Sequence, residues 1–353
     1  MKKSLVALAV LAASGVASAQ STVTLYGLID TYVGAQKTTV GGNGTRQSVV
    51  NSGGLQTSRF GLKGSEDLGG GLAANFQLEN GFNVDTGATP NNGATNQSIF
   101  SRQSWVGLSG GFGQVKIGKM WTPFDEVKGS GAAGFDGNVL APATNVWASN
   151  NYNDRPGNSL YYSTPSFGGF SAAAMYAFGE NKTPTNNAGK TAGFNVAYNA
   201  GPLAAALSYQ SEKPGGNAVG LAGRTTKFTQ VNASYDFGVA KLLGAYGRVQ
   251  DGLNPTRGFA VDKSTEYQIG VDVPLGGAFT LSGGYARSKD DQLGGAPEIK
   301  RKGYSIAGLY ALSKRTNLYA GVQQAKENAY GPAVGGTPET KSSTYAVGVR
   351  HTF

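Results

Sequence analysis

The chain contains no cysteine and a single histidine, His351. The first absence removes disulfides and thiolate metal centres; the second leaves almost nothing for a histidine-based metal site or general base. Charged residues make up only 14% of the chain, against roughly 25% in an average soluble domain. Past Gln20 no apolar run is long enough to cross a bilayer as a helix. In excess is glycine, 55 of 353 residues, together with 17 Tyr and 16 Phe. That aromatic content argues against disorder. Composition alone leaves a soluble β-sandwich and a β-barrel open.

The first residues read as an export signal. Lys2 and Lys3 are a basic start, Leu5 to Ala13 a short apolar core, and Ala17-Ser18-Ala19 a cleavage motif. Residues 1–19 are therefore expected to be a secretory signal peptide, and residues 20–353 one mature domain without a linker or composition break. An exported chain without disulfides needs another source of rigidity, and a closed hydrogen-bonded barrel is one. The net charge is +9, or +7 without Lys2 and Lys3. A basic balance suits nucleic acid, acidic surfaces or small anions; export sets nucleic acid aside.

The pattern along the chain has period two. Val23, Leu25, Gly27, Ile29 and Val33 alternate with Thr24, Tyr26, Asp30 and Tyr32, with Leu28 falling among the polar set. Leu72, Ala74, Phe76 and Leu78 alternate with Ala73, Asn75, Gln77 and Glu79. One apolar and one polar face per strand suits a wall between lipid and water. Short turns are expected at 66–71, 109–113, 164–168, 200–202, 236–240, 274–277 and 312–316. Longer polar connectors alternate with them near 37–45, 85–98, 120–154, 179–189, 212–225, 251–263, 289–300 and 327–341. This predicts an all-β fold, a 16-stranded antiparallel transmembrane β-barrel.

Phe82, Phe167, Phe170, Phe178, Phe237, Tyr285, Tyr310 and Tyr345 lie near strand ends, where aromatic girdles or ordinary strand enrichment would place them. The last strand puts Tyr345, Val347, Val349 and Phe353 on one face, and a terminal Phe there resembles a barrel-assembly signal.

Several stretches resemble the trimeric general porins of Gram-negative bacteria, most closely the beta-proteobacterial ones. They are Val23-Thr24-Leu25-Tyr26-Gly27, the run Ser58 to Gly69 (SRFGLKGSEDLG), Arg102 to Leu108 (RQSWVGL) and Gly348 to Phe353 (GVRHTF). The resemblance spans the mature chain. It implies a homotrimer of sixteen-stranded barrels, each with its third long loop inserted as a constriction.

The resemblance further implies an arginine ladder facing acids on or near that loop. By position the ladder is Arg59, Arg102 and Arg155, with Lys63 beside it, and the acids are Glu79, Asp125 and Asp136. Strand parity gives a separate reading. Phe60 and Leu62 outward set Arg59 and Lys63 inward; Leu160 and Tyr162 outward set Arg155 inward with Ser159 and Tyr161; Glu79 alternates with Leu78. An arginine facing lipid at the midplane would cost about 2–4 kcal/mol. Arg102 shares its parity with Ser104, Val106 and Leu108, so only the resemblance puts it in the pore. Lys116 and Arg248 are either further luminal bases or solvated charges.

Other chemistry is thin. His351 is expected on the outer face of the last strand with no nucleophile beside it, which speaks against an enzyme. Gly69-Gly70-Gly71 and Gly41-Gly42-Asn43-Gly44 lack the lysine of a phosphate loop. Asp125-Glu126 and Asp290-Asp291 read as solvated loop charges before they read as cation ligands. No cofactor or metal is expected. The expected partners are small hydrophilic solutes and anions, outer-membrane lipid and lipopolysaccharide, and the barrel-assembly machinery. A passive anion-preferring channel leads; a solute-specific porin, marked by saturable flux, and an adhesive barrel with a closed lumen stand beside it.

Overall fold

In the computed structural model the described residues are 22–89, 98–135, 138–182, 187–213, 224–253, 260–295, 298–328 and 338–353. Residues 1–19, expected to be the signal peptide, and Asp136 lie outside them.

Alternation decides the architecture. Val23, Leu25, Val33, Val106, Ile117, Ile269 and Val347 are all at least 60% exposed. Facing the other way, Asp30, Glu79, Gln210, Gln230, Glu266, Asp290, Arg301 and Gln323 are buried. Apolar outside and polar inside is the reverse of a soluble sandwich and the arrangement of a membrane barrel.

The strands are β1 (Thr22–Val40), β2 (Asn43–Ser52), β3 (Arg59–Gly69), β4 (Leu72–Gly81), β5 (Gln103–Gly110), β6 (Gly113–Lys119), β7 (Ser159–Ser163) and β8 (Phe170–Ala177). After a small hairpin of β9 (Asn181–Lys182) and β10 (Asn187–Ala188) come β11 (Lys190–Ala200), β12 (Leu203–Lys213), β13 (Thr226–Asp236), β14 (Lys241–Leu253) and β15 (Ala260–Pro274). The wall ends with β16 (Phe279–Gln292), β17 (Ile299–Ala311), β18 (Thr316–Glu327) and β19 (Thr340–Thr352). Each pairs antiparallel with its neighbour, and β19 returns to β1 from Leu28↔Thr352 to Val40↔Thr340, closing the sheet. Both β2 and β3 pair with β1, along its loop-side and turn-side halves respectively, so together they make one interrupted wall strand. With β9 and β10 outside the wall, sixteen strands surround the lumen, as the periodicity predicts.

All seven short turns fall where expected. The first expected long connector does not: β1 and β2 run on to a tight turn at Gly41 and Gly42, both at positive φ. The break comes later, at residues 53–58. Buried Asp30 causes it, its carboxylate accepting the backbone N–H groups of Gly54, Leu55 and Gln56 at 3.0, 2.9 and 2.7 Å and the Tyr319 hydroxyl at 2.5 Å. These amides satisfy a side chain instead of the ladder, so the chain bends inward.

Between β6 and β7 the chain enters the barrel. Its first piece is α1 (Pro123–Lys128), with Pro at the start and the Thr122 side chain accepting the Asp125 N–H at 3.2 Å. Beyond it, Val146 and Trp147 pack on wall residues Ala245, Ala286 and Ala325, while Phe124 of α1 and Ala148 pack on Phe228 and Val249. Small wall residues let the segment press close: a Cβ on Gly303 would stand 2.0 Å from the Pro142 carbonyl oxygen. Polar ties complete the seat. Ser149 donates through N and Oγ to Glu266 at 3.0 and 2.5 Å, and Gln323 donates to the Thr144 carbonyl at 3.0 Å.

Candidate functional site

The inserted segment crowds one side of the wall and leaves a passage along β3, β4 and the chain before β5. Glu79, on the inner face of β4, is buried there. Its carboxylate accepts Arg102 Nε at 2.7 Å and the Tyr26 hydroxyl at 3.0 Å, and Arg59 Nε lies 3.6 Å away. Glu79 therefore stands among the arginines and neutralises part of their charge, not across the passage from them.

Arg102 and Arg155 both precede their strands, β5 and β7, so strand parity does not govern either side chain. The face of β5 that parity assigns to Arg102 points outward, with Val106 60% exposed. Arg102 itself is buried, because the chain has turned before Gln103 and ties its N–H to the Glu79 carbonyl at 3.1 Å.

Trp121, at the root of the inserted segment, collects both groups. The Arg155 guanidinium carbon lies 3.4 Å and that of Arg102 5.1 Å from its ring centroid. Cation–π attraction of this kind contributes about 0.5–2 kcal/mol and fixes two flexible side chains without neutralising them. Arg155 also pairs with Asp154 at 2.7 Å, and its carbonyl accepts Lys119 Nζ at 2.6 Å. Burial pulls the Arg155 guanidinium down to about 10, with Asp154 and Asp125 opposing the fall and Arg102 adding to it. It remains charged at neutral pH.

Two cavities adjoin this cluster, of about 520 and 360 Å3, and both are lined by Arg59, Arg102 and Trp121. The larger also meets Lys128, Arg155, Asp125 and Asp154, giving four basic and two acidic side chains. The smaller opens toward Tyr26 and Thr352 at the turn end. The three shared residues thus form a collar where the two cavities adjoin. Between low-dielectric walls the field of such lining charges is focused.

On the α1 side, Asp125 accepts the Tyr152 hydroxyl, and Asp125 and Arg155 line the same cavity. Glu126 faces Lys116 at 3.8 Å and accepts the Tyr161 hydroxyl at 2.7 Å. Loss of solvation pushes the Glu126 carboxyl above the usual range, with Lys116 and Tyr161 holding it partly back.

A match to the Gram-negative porin family model runs over residues 4–330. The chain belongs to the Gram-negative porin family. It is 37% identical to outer membrane porin protein 32 of Delftia acidovorans and 34% identical to an outer membrane porin of Bordetella pertussis, each over 100% of both chains. Among solved structures, the anion-selective porin from Comamonas acidovorans superposes with a TM-score of 0.76 at 31% identity, covering 95% of this chain and 100% of that one. An outer membrane protein of Vibrio cholerae, 17% identical, shares the fold with a TM-score of 0.67, covering 94% of this chain and 98% of its own. The protein is an outer-membrane β-barrel channel.

Other residues singled out in the sequence take separate places in this porin. Lys63 is exposed and sits over the Tyr26 ring at 5.3 Å. Four residues from Arg59, it stands ~13 Å further toward the turns, apart from the collar. Lys116 is luminal, but Arg248 shares the outer face of β14 with Tyr246, which is 52% exposed. Asp290 is no solvated loop charge: it is wholly buried against Arg301 and Ser264. Asp291 lies 3.9 Å from Lys289. His351 is exposed, with Nδ1 2.9 Å from Thr316 Oγ1. Phe353 exchanges backbone hydrogen bonds with Gly27 at 3.0 and 3.1 Å, extending the β1–β19 seam. Sequence reasoning gave Trp121 no role of its own; the local signal for it is the stretch Trp121-Thr122-Pro123-Phe124-Asp125, which resembles the family's loop entry.

Proposed function

We propose that this porin passes small hydrophilic solutes by passive diffusion and favours anions, with the preference set by Arg59, Arg102 and Arg155 around Trp121. The observation that carries the reading is the shared collar of Arg59, Arg102 and Trp121, with one buried carboxylate between the two arginines and with Arg155, Asp125 and Asp154 beside it in the larger cavity. Positive lining charges lower the barrier for anions, while the acids give the field a transverse component that orients dipolar solutes. Likeness to a porin described as anion-selective supports the same sign. Asp136 is proposed to join the acidic side, and Lys63 to act as a basic outpost at the turn-side mouth.

The homotrimer is supported by the apolar outer face of β1, β3 and β5, where Val23, Leu25, Phe60, Leu62 and Val106 are exposed and can pack against further copies. Residues 1–19 are proposed as the export signal and Phe353 as the contact read by the barrel-assembly machinery; lipopolysaccharide is proposed as a lipid partner. No catalytic step is assigned.

The decisive measurement is the zero-current potential of the purified protein in a planar bilayer under a KCl gradient. Stepwise conductance with a potential of anion-selective sign is expected. Cation selectivity would retain the channel and overturn the role of the arginines.

A further inference from the structure

On the turn side of the collar, the inner face of β1, β3, β4 and β5 carries two cross-strand rows. Thr24, Lys63, Gln77 and Trp105 are successive partners in the first. One pleat repeat nearer the turns, Thr22, Ser65, Asn75 and Gly107 form the second, which Lys116 of β6 continues. Leu62 and Val106, their neighbours along the chain, are exposed on the outer face, so both rows look into the lumen. A cavity of about 240 Å3 lies over them, with Lys63, Gln77, Trp105, Asn75 and Ser65 in its lining.

These side chains are held in set orientations. Gln77 Nε2 donates to the Tyr26 hydroxyl at 2.5 Å, and that hydroxyl donates onward to Glu79 at 3.0 Å. Asn75 Nδ2 donates to Ser109 Oγ at 2.8 Å and to the Ala73 carbonyl at 3.3 Å. Each amide thus turns its NH2 group to the wall and keeps its carbonyl oxygen as an acceptor. Trp105 Nε1 donates to Gln103 at 3.2 Å, and the Lys116 ammonium stands 5.3 Å from the indole centroid. Lys116 also faces Glu126 at 3.8 Å. Lys63, by contrast, has no carboxylate at ion-pairing distance among the described residues and rests over the Tyr26 ring at 5.3 Å.

The patch therefore offers one uncompensated ammonium, two amide acceptors and a flat indole. Lys63 and Trp105 sit two strands apart, roughly 10 Å between backbones, with Gln77 between them. A bare inorganic anion would use the ammonium and turn its remaining charge toward both acceptors. An apolar carboxylic acid would leave the acceptors without donors. A ring bearing hydroxyls and one carboxylate satisfies all of them: carboxylate on Lys63, hydroxyls on Gln77 and Asn75, and the C–H face of the ring on Trp105.

We infer that this patch binds sugar acids, hydroxylated carboxylates of monosaccharide size, at the turn-side mouth of the channel. The inference deepens the channel reading and rests on it for the access of solute to the lumen. The collar discriminates by charge; this site discriminates by hydroxyls placed beside the charge.

The test titrates the full barrel in neutral detergent with D-glucuronate and reads binding by saturation-transfer NMR of the ligand. D-Glucose has the ring without the carboxylate, and acetate the carboxylate without the ring. Each is expected to bind roughly tenfold more weakly than glucuronate. Lys63→Gln is expected to bring glucuronate down to the affinity of glucose and to leave glucose unmoved. Trp105→Leu should weaken both sugars. Because that ring also packs against Met120 and Tyr161, heat-modifiable gel migration checks the fold, and Trp105→Phe, which keeps a ring, should recover part of the affinity. Arg155→Ala, at the collar, should leave glucuronate affinity within about twofold. Equal affinity for glucose and glucuronate, no effect of Lys63→Gln, or an equally large loss in Arg155→Ala would each overturn the site. Stepwise conductance of the wild-type protein in KCl keeps the two readings apart. Conductance without saturable glucuronate binding overturns the site alone, and binding without conductance overturns the channel reading alone.

Discussion

Arg301 Nε donates to the Val146 carbonyl at 2.6 Å, tying the barrel wall to the segment that narrows it. The guanidinium is wholly buried, pairs with Asp290 through its second nitrogen, and has Glu327 3.6 Å from the third. The charge lies on the far wall from Trp121 in sequence and in strand order, on β17. Its contacts therefore serve the position of the inserted segment more directly than the field at the collar.

Replacing Arg301 with Met is expected to loosen that segment. Asp290 would keep Ser264 but lose its cation, and breaking a buried pair in this way costs about 3–5 kcal/mol. A lower heat-dissociation temperature in detergent and larger, noisier single-channel currents should follow. A quiet channel of unchanged conductance would show that the apolar seat around Trp147 holds the segment alone.

Glu79→Gln should move selectivity and stability in opposite directions. The substitution removes the one negative charge among Arg59 and Arg102, so the reversal potential should shift toward stronger anion preference. Arg102, buried beside it, loses its 2.7 Å partner, so the barrel should denature at lower temperature. Arg102→Ala is expected to weaken anion preference instead. A common sign for both variants would show that their lost ion pair, not their net charge, controls the current.

Much of this architecture is legible in the sequence, and the failures have physical causes. Alternation and turn residues mark the wall because each strand separates lipid from water over its whole length. The inward bend at 53–58 is hidden, since the group that causes it, Asp30, lies on another strand. Gly41-Gly42 reads as part of a long loop, yet β1 and β2 stay paired up to it. Parity fails at Arg102 because it lies just outside β5, where the period of two no longer applies. The sign of Glu79's role needs distances: its inward direction follows from Leu78, but its place among the arginines does not.

Trp121→Leu tests whether the arginines are held by the ring or only by their carboxylates. Both guanidinium groups lie against it, at 3.4 and 5.1 Å. Loss of about 0.5–2 kcal/mol at each contact should free Arg155 more than Arg102, which retains Glu79. Anion preference is expected to fall, though less than in Arg155→Ala, with a rise in current noise. Selectivity equal to wild type would assign the positioning of Arg155 to Asp154.

Proton concentration should tune the same field from two directions. The Glu126 carboxyl is held above the usual range by loss of solvation. On acidification it therefore gains its proton earlier than an ordinary glutamate, leaving Lys116 uncompensated, and anion preference should rise in that window. On the alkaline side Arg155, pulled down to about 10 by burial, loses its charge as pH passes that value, and anion preference should fall. Reversal potentials across the full range check both limbs. Glu126→Gln is expected to abolish the acid limb and leave the alkaline one. Persistence of the acid limb in that variant would assign it to another carboxylate.

Phe353 and Gly27 set a final test at the seam. A Cβ on Gly27 would stand 2.5 Å from Phe353 Cζ and 2.6 Å from the Arg59 carbonyl oxygen. The first atom belongs to a side chain that can turn aside; the second is backbone of the neighbouring strand. Gly27→Ala should therefore lower folded yield, and adding Phe353→Ala should recover only part of it, because the backbone clash remains. Phe353→Ala alone keeps the seam's backbone hydrogen bonds, so it is expected to fold in detergent yet reach the outer membrane poorly. Normal insertion of that variant in cells would remove the terminal ring from the assembly signal and leave it a purely packing residue.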